Sequence, residues 1–326
     1  MRRRARRGQR DRGDRRRHRA ARMSDLLAST SEARARFLEL VAEVRPELHR
    51  YCARMTGSVF DGEDVVQDTL AKAWYVLAEM ESPPALRPWL FRIAHNTAMD
   101  SLRRYEHRNV DTTGDMKVVA DMAKSRELEE HAPDGERVEA ALEVFAALPP
   151  VQRSALALKD VIGLSLEQTA ETMGVSVAAV KGALVRARAN VAAAKAAGAR
   201  EAGAVDVERL RRYADLFNAR DWDALRALFG EETRLDVVSR YQRRGSSAAS
   251  YFTQYPEITR AEDLRAEAGW VDGLPAIAVF RPASSSRAAY FIRLDWREER
   301  ITEVRDFRYV PYIAIDASFT ACGSDE

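Results

Sequence analysis

The stretch that decides the reading is Ser165–Arg188, SLEQTAETMGVSVAAVKGALVRAR. Ser165 and Gln168 fit a capping box, S-x-x-Q, which satisfies orphan amides at a helix start. Leu166, Thr169, Ala170 and Met173 follow at i, i+3, i+4 and i+7 and so share one inward face. Gly174 suits the left-handed position just past a helix, and Ser176 can cap the next one. In that second helix Val177, Val180, Leu184, Ala187 and Val191 form the buried stripe. The opposite face presents Ala178, Ala179, Gly182, Val185 and Arg186, with Lys181 on its flank. A surface helix normally fills such positions with charge, and an interior glycine costs about 1 kcal/mol against alanine. Small residues flanked by Lys181, Arg186 and Arg188 suit a helix pressed into a major groove. Methyl groups there touch thymine, and cations reach phosphates. A plain helical hairpin packing this face on another domain is the competing reading.

Upstream, LPPVQRSALALKDVIG (Leu148–Gly163) supplies a third helix, with Pro149-Pro150 suited to its first turn and Gly163 to its end. Three helices ending in a turn-linked pair predict a helix-turn-helix domain.

Further upstream, DGEDVVQDTLAKAW (Asp61–Trp74) opens a long helix. Asp61 is its expected N-cap, and acidic residues in the first turn favour the helix dipole. Val66, Leu70, Ala73 and Leu77 form its core stripe, leaving Glu63, Asp64, Gln67, Asp68 and Lys72 outside. Alone, this is a solvated face. The next segment, SPPALRPWLFRIAHNTAMDSLRR (Ser82–Arg104), places Leu90, Ile93, Ala94 and Thr97 inward. Asn96, Asp100 and Arg103 share another face, and Arg92 and Arg104 add cations. With Trp89 and Phe91 beside a proline-rich loop, the segment suits a base drawn from the stack and a tracked phosphate backbone. A buried helix with a basic edge is the alternative.

Composition bounds the rest. The chain has 326 residues, 46% hydrophobic and 31% charged, which allows two or three domains with cores of their own. No run of 18 apolar residues occurs, so no membrane span is expected. Cys52 and Cys322 are far apart and near no histidine cluster. They point to neither a disulfide framework nor a metal site, which fits a reducing cytoplasm. Residues 1–22 hold twelve arginines against two aspartates, a net +10, so the remainder carries −8 of the chain's +2. This leader has no apolar signal region. It is either a disordered tail that adds phosphate contacts or sequence ahead of a true start at Met23.

The three motifs together resemble regions 2 and 4 of bacterial extracytoplasmic-function (ECF) RNA polymerase sigma factors, over roughly residues 33–195. The resemblance implies that region 2 docks on core RNA polymerase and melts the minus-ten promoter element. It implies that region 4 reads the minus-35 element in promoter DNA. Asp64, Gln67 and Asp68 stand at the family's polymerase-facing positions. Trp89, Arg92, Asn96, Asp100, Arg103 and Arg104 stand in its promoter-melting helix. The recognition helix spans Ser176–Arg188, with Ser176, Ala178, Ala179, Lys181, Gly182, Val185, Arg186 and Arg188 as expected DNA contacts. His95 and the pair Gly182-Ala183 depart from common family choices, so the promoter sequence does not follow.

About 130 residues remain after residue 195. VERLRRYADLFNARDWDALRALFGEETRLDVV (Val207–Val238) gives two helical stretches, and alternating strands follow. Asp272-Gly273 between such strands is a strong hairpin signal. This block resembles the SnoaL-like (nuclear-transport-factor-2-like) cone, which implies a fused domain modulating activity in cis. Some cone relatives are enzymes, and Asp236 and Asp306 on expected strands are its candidate bases. No catalytic, cofactor or metal role is assigned to any residue. A small-molecule ligand in this domain stays open, and a cone-fold enzyme or ligand sensor with accessory DNA-binding domains is the rival function. VRDFRYVPYIAIDASF (Val304–Phe319) is read as edge-strand packing in preference to a contact surface.

The expected architecture is two all-α domains followed by an α+β cone. Its units are a leader at 1–23, region 2 at 24–106, a linker at 107–135 and region 4 at 136–195. A second linker at 196–205, the SnoaL-like domain at 206–312 and a tail at 313–326 complete the chain.

Overall fold

The computed structural model describes residues 37, 39, 41–79, 85–110, 142–197, 207–260 and 262–322. The arginine-rich leader, most of the 107–135 linker and most of the 196–205 linker lie outside them.

The first block holds three helices, α1 (Arg45–Thr56), α2 (Val59–Glu79) and α3 (Leu86–Val110). Gly57, at φ 82°, ends α1 in the left-handed conformation. Asp61 is not the N-cap of α2. Ser58 takes that place, its Oγ accepting from the Phe60 and Asp61 amides at 3.2 and 3.4 Å. A Cβ on Gly62 would stand 2.6 Å from the Ala53 backbone, so glycine is what lets α1 and α2 approach this closely.

The second helical block comprises α4 (Leu142–Ala146), α5 (Pro150–Leu156), a π-helical turn (Ala157–Val161), α6 (Leu166–Met173) and α7 (Val177–Ala197). The expected caps form. Ser165 and Gln168 make the reciprocal capping box, Gly174 sits at φ 67°, and Ser176 Oγ accepts from the Ala179 amide at 3.2 Å. The two helical blocks, expected as separate domains, share one core. Tyr51, Cys52, Leu90, Phe91 and Ala94 pack in a single cluster with Phe145, Leu156, Val180, Leu184 and Ala187. Arg153, buried, ties the blocks by donating to the carbonyls of Met55, Ala146 and Leu148.

The third block begins with α8 (Val207–Asn218) and α9 (Trp222–Ala227). Seven strands follow as β1 (Phe229–Val237), β2 (Tyr241–Arg244), β3 (Arg265–Val271), β4 (Leu274–Phe280), β5 (Ala288–Arg297), β6 (Arg300–Asp306) and β7 (Phe319–Ala321). They form one sheet in the order β2-β1-β6-β5-β4-β3-β7. Neighbouring strands run antiparallel except β1 and β6, which run parallel. Asp272 and Gly273, at φ 50° and 77°, make the two-residue hairpin, as the left-handed pair requires. Two helices without a distinct sequence signal, α10 (Ser246–Ala249) and α11 (Tyr251–Thr259), lie between β2 and β3.

One face of the sheet holds Phe217, Trp222, Phe252 and Tyr255 in a cluster with Ile277 and Val279 of β4. The other holds Ala276, Ala278 and Phe280 of β4, together with Ala53, Val59 and Phe60 of the first block. The near-continuous apolar run PAIAVF is thus a strand covered on both faces. The expected 313–326 tail is also corrected. Ile313 is fully buried, and β7 pairs with β3, so the domain continues to the end of the described residues. No helix among the described residues is long and apolar enough to cross a membrane.

Candidate functional site

The acidic face of α2 is divided between two environments. Asp64 is half exposed, and its carboxylate takes both terminal nitrogens of Arg305 on β6, one at 3.0 Å. Arg305 Nε also lies 3.5 Å from Asp236 of β1. Glu63, read from sequence as an outward residue, is fully buried. It accepts from Arg45 at 2.6 Å, from the Tyr312 hydroxyl at 2.8 Å and from Gln67 at 3.4 Å. Asp316 accepts from Arg50 and Arg54 at 3.1 and 3.3 Å. Phe60 places its ring 5.0 Å from Phe307 and 6.1 Å from Phe291. The segment Val304–Phe319 is therefore a contact surface on region 2, not edge packing alone. Sequence reasoning missed Glu63, Arg305 and Tyr312, because a charge on an isolated helix or strand carries no mark of its distant partner.

Asp68, one turn beyond Asp64, stays exposed. It lines an open groove of about 790 Å³ with Lys72, Tyr75, Asp100, Arg103 and Arg104. The expected polymerase face thus has a covered half at Asp64 and an open half at Asp68.

On α3, Arg92, Asn96, Asp100, Arg103 and Arg104 are exposed along one side. Arg103 reaches Asp100 at 3.4 Å, an exposed pair of little energetic weight. Trp89 departs from expectation. It is 7% exposed and, with fully buried Phe91, belongs to the core, so neither ring is free to stack on a base. His95 adds no cation to this side. Its Nδ1 lies 3.0 Å from both the Tyr51 and Ser154 hydroxyls, and burial, with Arg103 nearby, pushes it down to about 4.

On α7 and its capping residue, Ser176, Ala178, Ala179, Lys181, Val185 and Arg186 are exposed, and Gly182 is half buried. The outward face read from sequence is open. Arg188 is the exception, for Asp160 of the π-helical turn accepts from its Nε and Nη2, each at 3.0 Å. That bidentate pair fixes α7 on the preceding turn and removes Arg188 from the expected phosphate contacts.

In the third block Asp306 is fully buried, and burial raises its carboxyl above the usual range. Its oxygens accept from the Tyr251 hydroxyl and the Arg308 amide, both at 2.8 Å. Tyr255 and Tyr290 share a hydrogen bond at 2.9 Å, and Arg308 spans Tyr290 and Glu262. Asp236 stands apart from this cluster, beside Arg305. The two candidate bases are not brought together.

Residues 40–108 match the family Sigma-70 region 2, and residues 139–191 match Sigma-70, region 4. The ECF RNA polymerase sigma factor SigM of Mycobacterium tuberculosis is 30% identical over 179 residues, which is 54% of this chain and 85% of that one. The chain is an ECF RNA polymerase sigma factor. The ECF sigma factor SigG of the same organism is 29% identical over 304 residues, covering 85% of this chain and 82% of its own. Among solved structures, that of M. tuberculosis SigJ aligns over 82% of this chain and 95% of its own, at 20% identity and a TM-score of 0.32. As a sigma factor the protein directs promoter-specific transcription, and its family implies core RNA polymerase and promoter DNA as partners. The α2 and α3 faces belong to region 2, and the α6–α7 pair is the helix-turn-helix of region 4.

Proposed function

We propose that this sigma factor is held closed in cis by its own C-terminal domain, which covers part of the polymerase-facing side of region 2. The two-pronged contact of Arg305 on Asp64 carries the reading. Tyr312 on Glu63 and Phe60 among Phe291 and Phe307 extend the cover. In the active form Asp64, Gln67 and Asp68 dock on core polymerase. The Arg92–Arg104 side of α3 engages the melted minus-ten strand, and the exposed face of α7 reads the minus-35 element.

The shared core of regions 2 and 4 supports closure. Elements named minus-ten and minus-35 differ by roughly 25 base pairs, on the order of 80 Å of duplex at 3.4 Å per pair. Here the Tyr51 hydroxyl of region 2 lies 2.9 Å from Ser154 Oγ of region 4. The closed form cannot reach both elements at once. Opening must separate the helical regions and release Asp64. A catalytic reading of the third block has less support, because a base at Asp306 would first have to give up both of its hydrogen bonds.

The test is Arg305→Glu combined with Tyr312→Phe in the full chain, measured for core polymerase affinity and for transcript yield on promoter DNA. Both should rise several-fold, since a half-exposed ion pair is worth up to about 1 kcal/mol. Equal affinity and yield from a folded variant would sink the closed-form reading.

A further inference from the structure

The edge strand β2 and its approach carry a basic patch that nothing above uses. Arg234, Arg240 and Arg244 are exposed, whereas Arg243 is half buried and stands on the opposite face of β2, across from the core residue Leu235. Among the described residues none of the four pairs with a carboxylate, whereas neighbouring Arg305, Arg308 and Arg297 each do. Arg234 and Arg244 are direct cross-strand partners in the β1–β2 ladder, where like charges destabilise the pairing. Arg240 lies 4.5 Å over the Tyr309 ring, and Arg243 lies 4.5 Å over Tyr241. Both rings are partly exposed, at 38% and 37%. A guanidinium stacked on a ring is held in orientation while its in-plane N–H donors stay available to an acceptor.

Charge on an edge strand also discourages strand addition. That role needs neither a ring under Arg240 nor an arginine directly across from Arg234. We propose that this patch binds the phosphate backbone of duplex DNA outside the two promoter elements. Phosphate is the ligand that matches: arginine meets it with paired N–H donors, and a row of phosphates offsets the Arg234–Arg244 repulsion. The contact reads no bases, so it adds affinity without adding sequence preference. The patch lies in the same chain as regions 2 and 4, so it is carried to the promoter by covalent linkage alone. The inference rests on family membership and not on the covered state of Asp64.

The experiment uses the full chain with core polymerase. It measures affinity for a promoter duplex and for a scrambled duplex of equal length across a range of salt. In Arg234→Glu/Arg240→Glu/Arg244→Glu the salt slope should fall by about 2–3, near 0.9 for each phosphate no longer neutralised. Affinity for both duplexes should fall by the same factor, tenfold or more at low salt. Arg240→Gln/Arg244→Gln removes two exposed charges without reversing them, and should lower the slope by about 1.8. An unchanged slope in either variant, with normal circular dichroism and core binding, would overturn the proposal. So would a loss confined to core binding without DNA, which would assign the patch to an acidic protein surface.

Discussion

His95 shows how one side chain can be placed by sequence and reassigned by packing. It lies on the helix expected to meet promoter DNA, yet its ring is turned into the junction of regions 2 and 4, between Tyr51 and Ser154. Burial lowers it from 6.5 to about 4, so the folded protein holds it neutral at pH 7. A histidine with a lowered folded value contributes stability above its unfolded value, near 6.5, and loses it as pH falls toward 4. The full loss is about 3 kcal/mol at about 1.4 kcal/mol per unit. His49, buried beside Val59 and also lowered, acts in the same direction. His95→Gln should therefore remove part of the acid sensitivity. Urea midpoints of the variant and the wild type, compared at neutral and acid pH, check this. Parallel shifts in both proteins would leave His95 without that role. Asp306 has the opposite sign, because its raised value stabilises the protonated form and its contribution is lost as pH rises.

Local elements are where the chain is most legible, since a cap or a tight turn is decided within a few residues. The Ser165/Gln168 box, the left-handed Gly174 and the Asp272-Gly273 turn all stand where the sequence places them. Ser165→Ala should cost about 1 kcal/mol, seen as a lowered Tm with the fold retained. The start of α2 is less legible because Ser58 and Asp61 are both good caps and only three residues apart. Packing chooses Ser58, since α2 must place Gly62 against Ala53. Gly62→Ala should destabilise despite the gain in helix propensity, because the added methyl meets backbone and forces α1 and α2 apart. A stability equal to or above wild type would show that the two helices can yield. Trp89 is a related case. An aromatic beside a proline-rich loop is compatible with both a base platform and a core residue, and only the neighbouring helices decide between them.

Across the molecule as a whole, the C-terminal domain and region 2 complete each other's core. Phe60 is fully buried among residues of the third block. Phe60→Ala should cost about 3–5 kcal/mol and loosen the domain contact, read as faster proteolysis after residue 197 and a larger radius in scattering. Truncation after Lys195 should expose Ala53, Val59 and Phe60 together, giving a less stable and self-associating protein. Retained solubility and an unchanged melting profile would show that this interface is not needed by the helical regions. Point variants at Arg305 and Tyr312 are thus a cleaner probe of the closed form than removal of the domain.

The α-then-α+β order, the helix-turn-helix with its open face, and the family are all legible in the chain alone. Each of these rests on periodicity, capping and turn chemistry, which act over a few residues. Tertiary packing was needed to show that regions 2 and 4 share a core, that Asp64 is taken by Arg305, and that Arg188 is bound to Asp160. The same holds for the tail being part of the sheet. Those outcomes depend on contacts between residues up to 241 positions apart. Such pairings are selected by shape and charge across whole faces, and no local pattern in the chain encodes them.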